Sequence, residues 1–87
     1  MPIYRVELSP KSRKQINDLD KPVRERVFDA INRLATEPFP QKAITMQGQD
    51  SIYRTRAGDY RILYTVEHSQ LLVLVVQVGN RREVYKR

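Results

Sequence analysis

Eighty-seven residues at 40% apolar content describe one domain, 1–87, with enough hydrophobic material to fold and a core that must be efficient at this size. There is no cysteine and only one histidine, so no disulfide framework, no zinc–thiolate site and no His-based metal site is expected. The net charge of +6 is uneven: residues 51–87 hold seven Lys/Arg against three Asp/Glu, whereas residues 1–37 hold eight against six. Basic excess in one half points to a polyanionic or acidic partner as readily as to a solubilising surface. No apolar run approaches a membrane span and the N-terminus, Met-Pro-Ile-Tyr-Arg, has no signal-like apolar region, so a soluble, cytoplasmic protein is expected.

Pro2 to Leu8 reads as a strand, with Ile3, Val6 and Leu8 as apolar members. Ser9 can cap a helix whose first position is Pro10, where the missing N–H costs nothing. That helix runs to about Leu19, with Ile16 and Leu19 inward and Lys11, Arg13 and Lys14 pointing out to solvent. Asp20 can cap a second, stronger helix from Lys21 to Thr36. Val23, Val27, Ala30, Ile31 and Leu34 recur there at three- and four-residue steps, and Pro38 ends it. Phe39 to Asp50 reads as a loop. Three strands follow: Ile52 to Ala57, Tyr60 to Val66, and Leu71 to Val78. The last is apolar at nearly every position, as a central strand covered on both faces would be. Glu83 to Tyr85 reads as a brief edge pairing.

Ala57-Gly58-Asp59 breaks the first two of these strands where a hairpin needs φ > 0. Short turns make consecutive strands antiparallel. The fold class is therefore α+β: an N-terminal strand, an αα-hairpin, then an antiparallel β-meander with the helices packed on one sheet face. The other face is left open and carries arginines. Arg54 and Arg56 share a strand face, Arg61 lies across the turn, and Arg81 and Arg82 follow the last strand. Guanidiniums gathered without carboxylates repel one another unless they meet water or an anion. Taken alone, Arg54 and Arg56 fit charges that blunt an edge strand. Tyr4, Tyr53, Tyr60 and Tyr64 read as structural sheet residues. His68, in the far turn about 20 Å from the arginine end, reads as a surface residue.

Two segments carry a resemblance: Tyr53-Arg54-x-Arg56-x-Gly58-Asp59-Tyr60-Arg61-Ile62-Leu63-Tyr64 and Val78-Gly79-Asn80-Arg81-Arg82-x-Val84-Tyr85. Together and at this spacing they make nearly the whole chain resemble the RelE/ParE superfamily of toxins from type II toxin–antitoxin modules, and more closely its RelE-like branch. The resemblance implies an endoribonuclease that cuts messenger RNA at the ribosome and so inhibits translation. It also implies a cognate antitoxin whose tail wraps the toxin in a hetero-oligomer. By position, Arg61, Arg81 and Tyr85 match the family's catalytic residues, while Arg54, Arg56 and Arg82 fall to substrate binding; no cofactor and no metal is implied. Some relatives carry lysines in place of Arg54 and Arg56, and the segment from Arg81 to Tyr85 is shorter here.

The chemistry suits that assignment. Cleavage by the adjacent 2′-OH needs a proton acceptor, a proton donor and charge stabilisation at phosphorus. Arginine, with a pKa above about 12, is no base but binds phosphate in a bidentate manner. A phenol starts near about 10 and neighbouring cations lower it, and Tyr85 follows Arg81 and Arg82. The expectation is Arg61 and Arg81 on the transition-state phosphate, Tyr85 in proton transfer, and Arg54 and Arg56 on backbone phosphates. Two other readings stay open: a ParE-like inhibitor of DNA gyrase with no nuclease activity, and a toxin-like fold kept as an RNA- or protein-binding module.

Overall fold

The computed structural model describes residues 3–39, 44–46 and 49–80. Strand β1 spans Arg5–Leu8, helix α1 Pro10–Asn17 and helix α2 Lys21–Arg33. Strands β2 (Ile44–Met46), β3 (Gln49–Ala57), β4 (Tyr60–Glu67) and β5 (Leu72–Asn80) follow, with a single 3-10 turn at His68–Gln70 before β5. The five strands form one sheet in the order β1-β5-β4-β3-β2.

Local chemistry sets both helix starts. Ser9 is extended, Pro10 occupies the first helical position, and the Ser9 hydroxyl accepts from the Ser12 N–H at 3.1 Å. Asp20 is extended before α2 with Pro22 in the first turn, but its carboxylate makes no capping bond. The second helix ends at Arg33 rather than at Thr36. Its last turn tightens into i→i−3 bonds, Leu34 N to Ile31 O, Ala35 N to Asn32 O and Thr36 N to Arg33 O. That tightening turns the Ala35 carbonyl toward the Tyr4 N–H, which donates to it at 2.7 Å.

The αα-hairpin covers one face of the sheet. Ile16, Val27, Ile31 and Leu34 meet Ile62, Tyr64, Val73, Val75 and Val78, all essentially inaccessible to solvent. Each such aliphatic side chain contributes about 1.5–3 kcal/mol by leaving water. The meander β3–β4–β5 is antiparallel as expected, and β5 is a central strand because β1 lies on its outer side. The pairing of β1 with β5 is parallel, Arg5 beside Leu72 through Leu8 beside Val75. The long connection this requires is the αα-hairpin, which carries the chain to the far edge of the sheet, followed by β2, β3 and β4, which bring it back to β5.

Two further expectations change. The stretch from Phe39 to Asp50 is not all loop: β2 pairs antiparallel with β3, and β3 begins at Gln49. Three residues with a register shift between Thr45 and Met46 are too few for a period-two pattern to register in sequence. The final strand also runs past Val78 to Asn80, since Gly79 and Asn80 still pair with Arg61 and Tyr60. The expected edge pairing of Glu83 to Tyr85 lies outside the described residues.

Candidate functional site

The arginine face is built by register. Residues directly opposite in an antiparallel ladder project to the same side. Arg54 pairs with Leu63, and Arg56 with Arg61. Leu63 in turn pairs with Gln77, and Arg61 with Gly79. These six positions form two adjacent rows across three strands. They lie on the face away from the helices, since the alternating set Thr55, Ile62 and Val78 is buried on the helical side.

The β3–β4 turn fixes the closeness of Arg56 and Arg61. It is a two-residue loop, Gly58-Asp59, closed by Ala57 opposite Tyr60. Gly58 has φ +63°, while Asp59 does not have positive φ. A glycine of this kind at the first central position is the II′ pattern, whose twist suits a tight hairpin. The closing pair of such a hairpin is hydrogen-bonded, so the next pair is not. Arg56 and Arg61 therefore occupy the narrower site, with Cα atoms about 4.5 Å apart. Like charges directly opposite in a ladder are destabilising. A phosphodiester between them turns that repulsion into attraction.

Burial grades the three. Arg56 is exposed and Arg54 half-buried, but Arg61 is only 5% exposed. The expectation of arginines open to water thus fails for Arg61. Leu63, beside it on the same strand face, is 8% exposed, so the middle of this face is sheltered. Neither Arg54 nor Arg61 lacks a partner. A held guanidinium keeps its orientation, which suits a group that must meet developing charge rather than search for it. Beside the row of Arg56 and Arg61, the sole carboxylate of the turn, Asp59, is exposed.

Arg81, Arg82 and Tyr85 lie outside the described residues. Asn80, the last described residue, pairs with Tyr60 beside the Gly58-Asp59 turn. The structure therefore brings Arg54, Arg56 and Arg61 together. Leu63 and Gln77 complete the face, and both escaped the sequence reading because nothing in an apolar run says which members face outward.

The tyrosines stand on the other side. Tyr64 is buried in the core, with Tyr53 and Tyr60 packed against it. Burial, and then the nearby Tyr53, push the Tyr64 phenol up to about 12, and its hydroxyl donates to the Pro38 carbonyl at 2.8 Å. His68 is exposed in the far turn, its Nδ1 2.8 Å from the Tyr4 hydroxyl. It is also in ring contact with Phe39. It belongs to the opposite end of β4 from Arg61. Among the described residues, no cluster of His, Asp or Glu is arranged to hold a metal ion. No described helix is long and apolar enough to cross a membrane.

A family model for the ParE toxin of type II toxin–antitoxin systems, parDE, matches residues 6–85. The chain belongs to this toxin family. The putative toxin RelE1 of Methanocaldococcus jannaschii is 26% identical over 86 residues, covering 95% of this chain and 96% of the relative. The archaeal RelE–RelB complex from Pyrococcus horikoshii OT3 contains a chain with 27% identity and TM-score 0.79, covering 91% of this chain and 96% of that one. The RelBE2 toxin–antitoxin complex of Mycobacterium tuberculosis shares the fold at TM-score 0.82 and 23% identity, over 93% and 94% of the two chains. The toxin's matched region thus includes the whole arginine face.

Proposed function

We propose that this toxin is an endoribonuclease that cuts messenger RNA, with the ribosome presenting the strand, and that a cognate antitoxin silences it in a cytoplasmic hetero-oligomer. The observation that carries the reading is the pairing of Arg56 with Arg61, with Arg54 in the next row of the same face. Three cations at strand spacing, on a face without helices, fit successive phosphates. The sheltered Arg61 stabilises the pentacoordinate phosphorus while Arg54 and Arg56 orient the backbone. Arg81 joins Arg61 on the phosphate, Tyr85 moves the proton, and Arg82 adds to binding; these three roles rest on family resemblance. A site without a strong base depends on alignment of the 2′-OH, which is what a ribosome-held message supplies. Relatives named as RelE toxins and solved complexes with RelB support both the branch and the antitoxin.

The family model itself is the ParE one, and this favours a second reading. There the same face binds DNA gyrase and nothing is cut. Expression of wild type and of the Arg61→Ala, Arg81→Ala and Tyr85→Phe variants separates them. Under the nuclease reading, wild type arrests growth with cleaved messages, and each variant loses about 10²–10³ in cleavage rate. Tyr85→Phe and Arg81→Ala guard against a folding defect of the buried Arg61 variant. Growth arrest with intact messages and DNA damage overturns the nuclease reading in favour of gyrase.

A further inference from the structure

We infer that Lys11 is a further phosphate contact, carrying the basic face beyond the edge of the sheet by way of Gln77. The inference rests on the RNA reading above. Strand β1 flanks β5 only as far as Val75, opposite Leu8. From there on, α1 takes over as the edge partner. The Ser9 N–H and the Ser12 hydroxyl both donate to the Val75 carbonyl at 2.9 Å. The Ser9 hydroxyl reaches the Val76 carbonyl at 3.2 Å, and the Gln15 side-chain oxygen accepts from the Val78 N–H at 2.7 Å. Four bonds from the cap residue Ser9 and the helical Ser12 and Gln15 fix the first two turns of α1 against the ladder.

Lys11 sits in the first of those turns, so the same bonds place it. Its Nζ lies 3.5 Å from Oε1 of Gln77. Gln77 faces the open side of the sheet, opposite Leu63, which is opposite Arg54. Lys11, Gln77, Leu63 and Arg54 thus form one line across the open face, with Arg61 and Arg56 in the line beside it. Two strand spacings, about 10 Å, separate the β5 and β3 ends of that line. Lys11 is exposed, as Arg13 and Lys14 are, and its ammonium lies on the Gln77 side of the helix. Among the described residues no carboxylate pairs with it, and an uncharged amide leaves most of its three donors for an anion. The α1 edge contacts and the arginine register are separate facts that converge on one track.

The test is binding of a fluorescein-labelled, mixed-sequence single-stranded oligoribonucleotide to purified toxin across a salt series. Losing one phosphate contact lowers the slope of log K against log salt by about 0.7, which amounts to about fivefold in affinity at 0.1 M salt. Lys11→Ala is expected to show both changes, and Gln77→Glu a larger loss, because it sets a carboxylate on the track. Lys21→Ala, exposed at the start of α2, is expected to match wild type. A Lys11→Ala slope and affinity equal to wild type, in a toxin that binds the RNA, overturns the inference alone. Wild type that fails to bind, or binds without salt dependence, also overturns the inference, while the RNA reading itself stands or falls on the message-cleavage assay above.

Discussion

Tyr64 is wholly buried yet carries a hydroxyl, and its one bond to the Pro38 carbonyl reconciles the two. Burying a hydroxyl without a partner costs about 1–3 kcal/mol, so the bond is a condition for placing a tyrosine there. Tyr64→Phe should lose about 1 kcal/mol at neutral pH. It should also change the alkaline limb of stability. The folded-state phenol is raised from 10.0 to about 12, so the folded protein holds its proton where the unfolded chain releases it. This contribution is complete below pH 10, declines from there, and is gone above about 12. Denaturant midpoints measured from pH 8 to 12 should fall more steeply in wild type than in the Phe variant. Parallel curves would refute the assignment.

Strands β3, β4 and β5 are joined by two turns with opposite conformational fits. Gly58 enters the β3–β4 turn at φ +63°, with no atom near the place a Cβ would occupy. Leu71 leaves the β4–β5 turn at φ 50°, a left-handed conformation that a branched apolar residue adopts at a cost of about 1–2 kcal/mol. Leu71 is held there because its carbonyl accepts from the Arg5 N–H at 2.7 Å, tying the turn to β1. Gly58→Ala should therefore destabilise by about 1 kcal/mol through backbone strain alone, and Leu71→Gly should raise the melting temperature. At this chain length each kcal/mol is worth roughly 4–8 °C. A calorimetric scan in which Leu71→Gly melts below wild type would show that its 41% exposed side chain contributes more than its backbone loses.

Across the whole molecule, the two sides of the sheet serve different ends. The open side holds the cations. The helical side supplies the core and, at its margin, an open groove lined by Val6, Leu8, Asn17, Arg13, Glu7 and Phe28, continuous with a second beside Pro10 and Lys14. Among the described residues the outer edge of β1 has no strand partner. A groove of mixed character, with Arg13 and Lys14 but also Glu7 and Asp18 in its lining, lies beside that free strand edge and suits an antitoxin tail that adds along β1. Phe28, 37% exposed over this groove, is the anchor to remove. Phe28→Asp should weaken antitoxin binding at least tenfold by calorimetric titration while leaving the free toxin's melting temperature within a few degrees. An unchanged affinity would move the antitoxin to another surface.

Periodicity and turn chemistry were enough to reveal the helices, the meander and the hairpin turn at Ala57-Gly58-Asp59, because each depends on neighbours in sequence. Alternation alone put Arg54 and Arg56 on one face. What it could not supply was the parallel docking of β1 on β5, which joins residues 67 apart, or the burial of Arg61, which depends on what covers a face rather than on the residue itself. The contact of Lys11 with Gln77 was settled only by packing: the side chains of Ser9, Ser12 and Gln15 replace a missing strand, and that long-range bond pattern sets an exposed helix position beside β5.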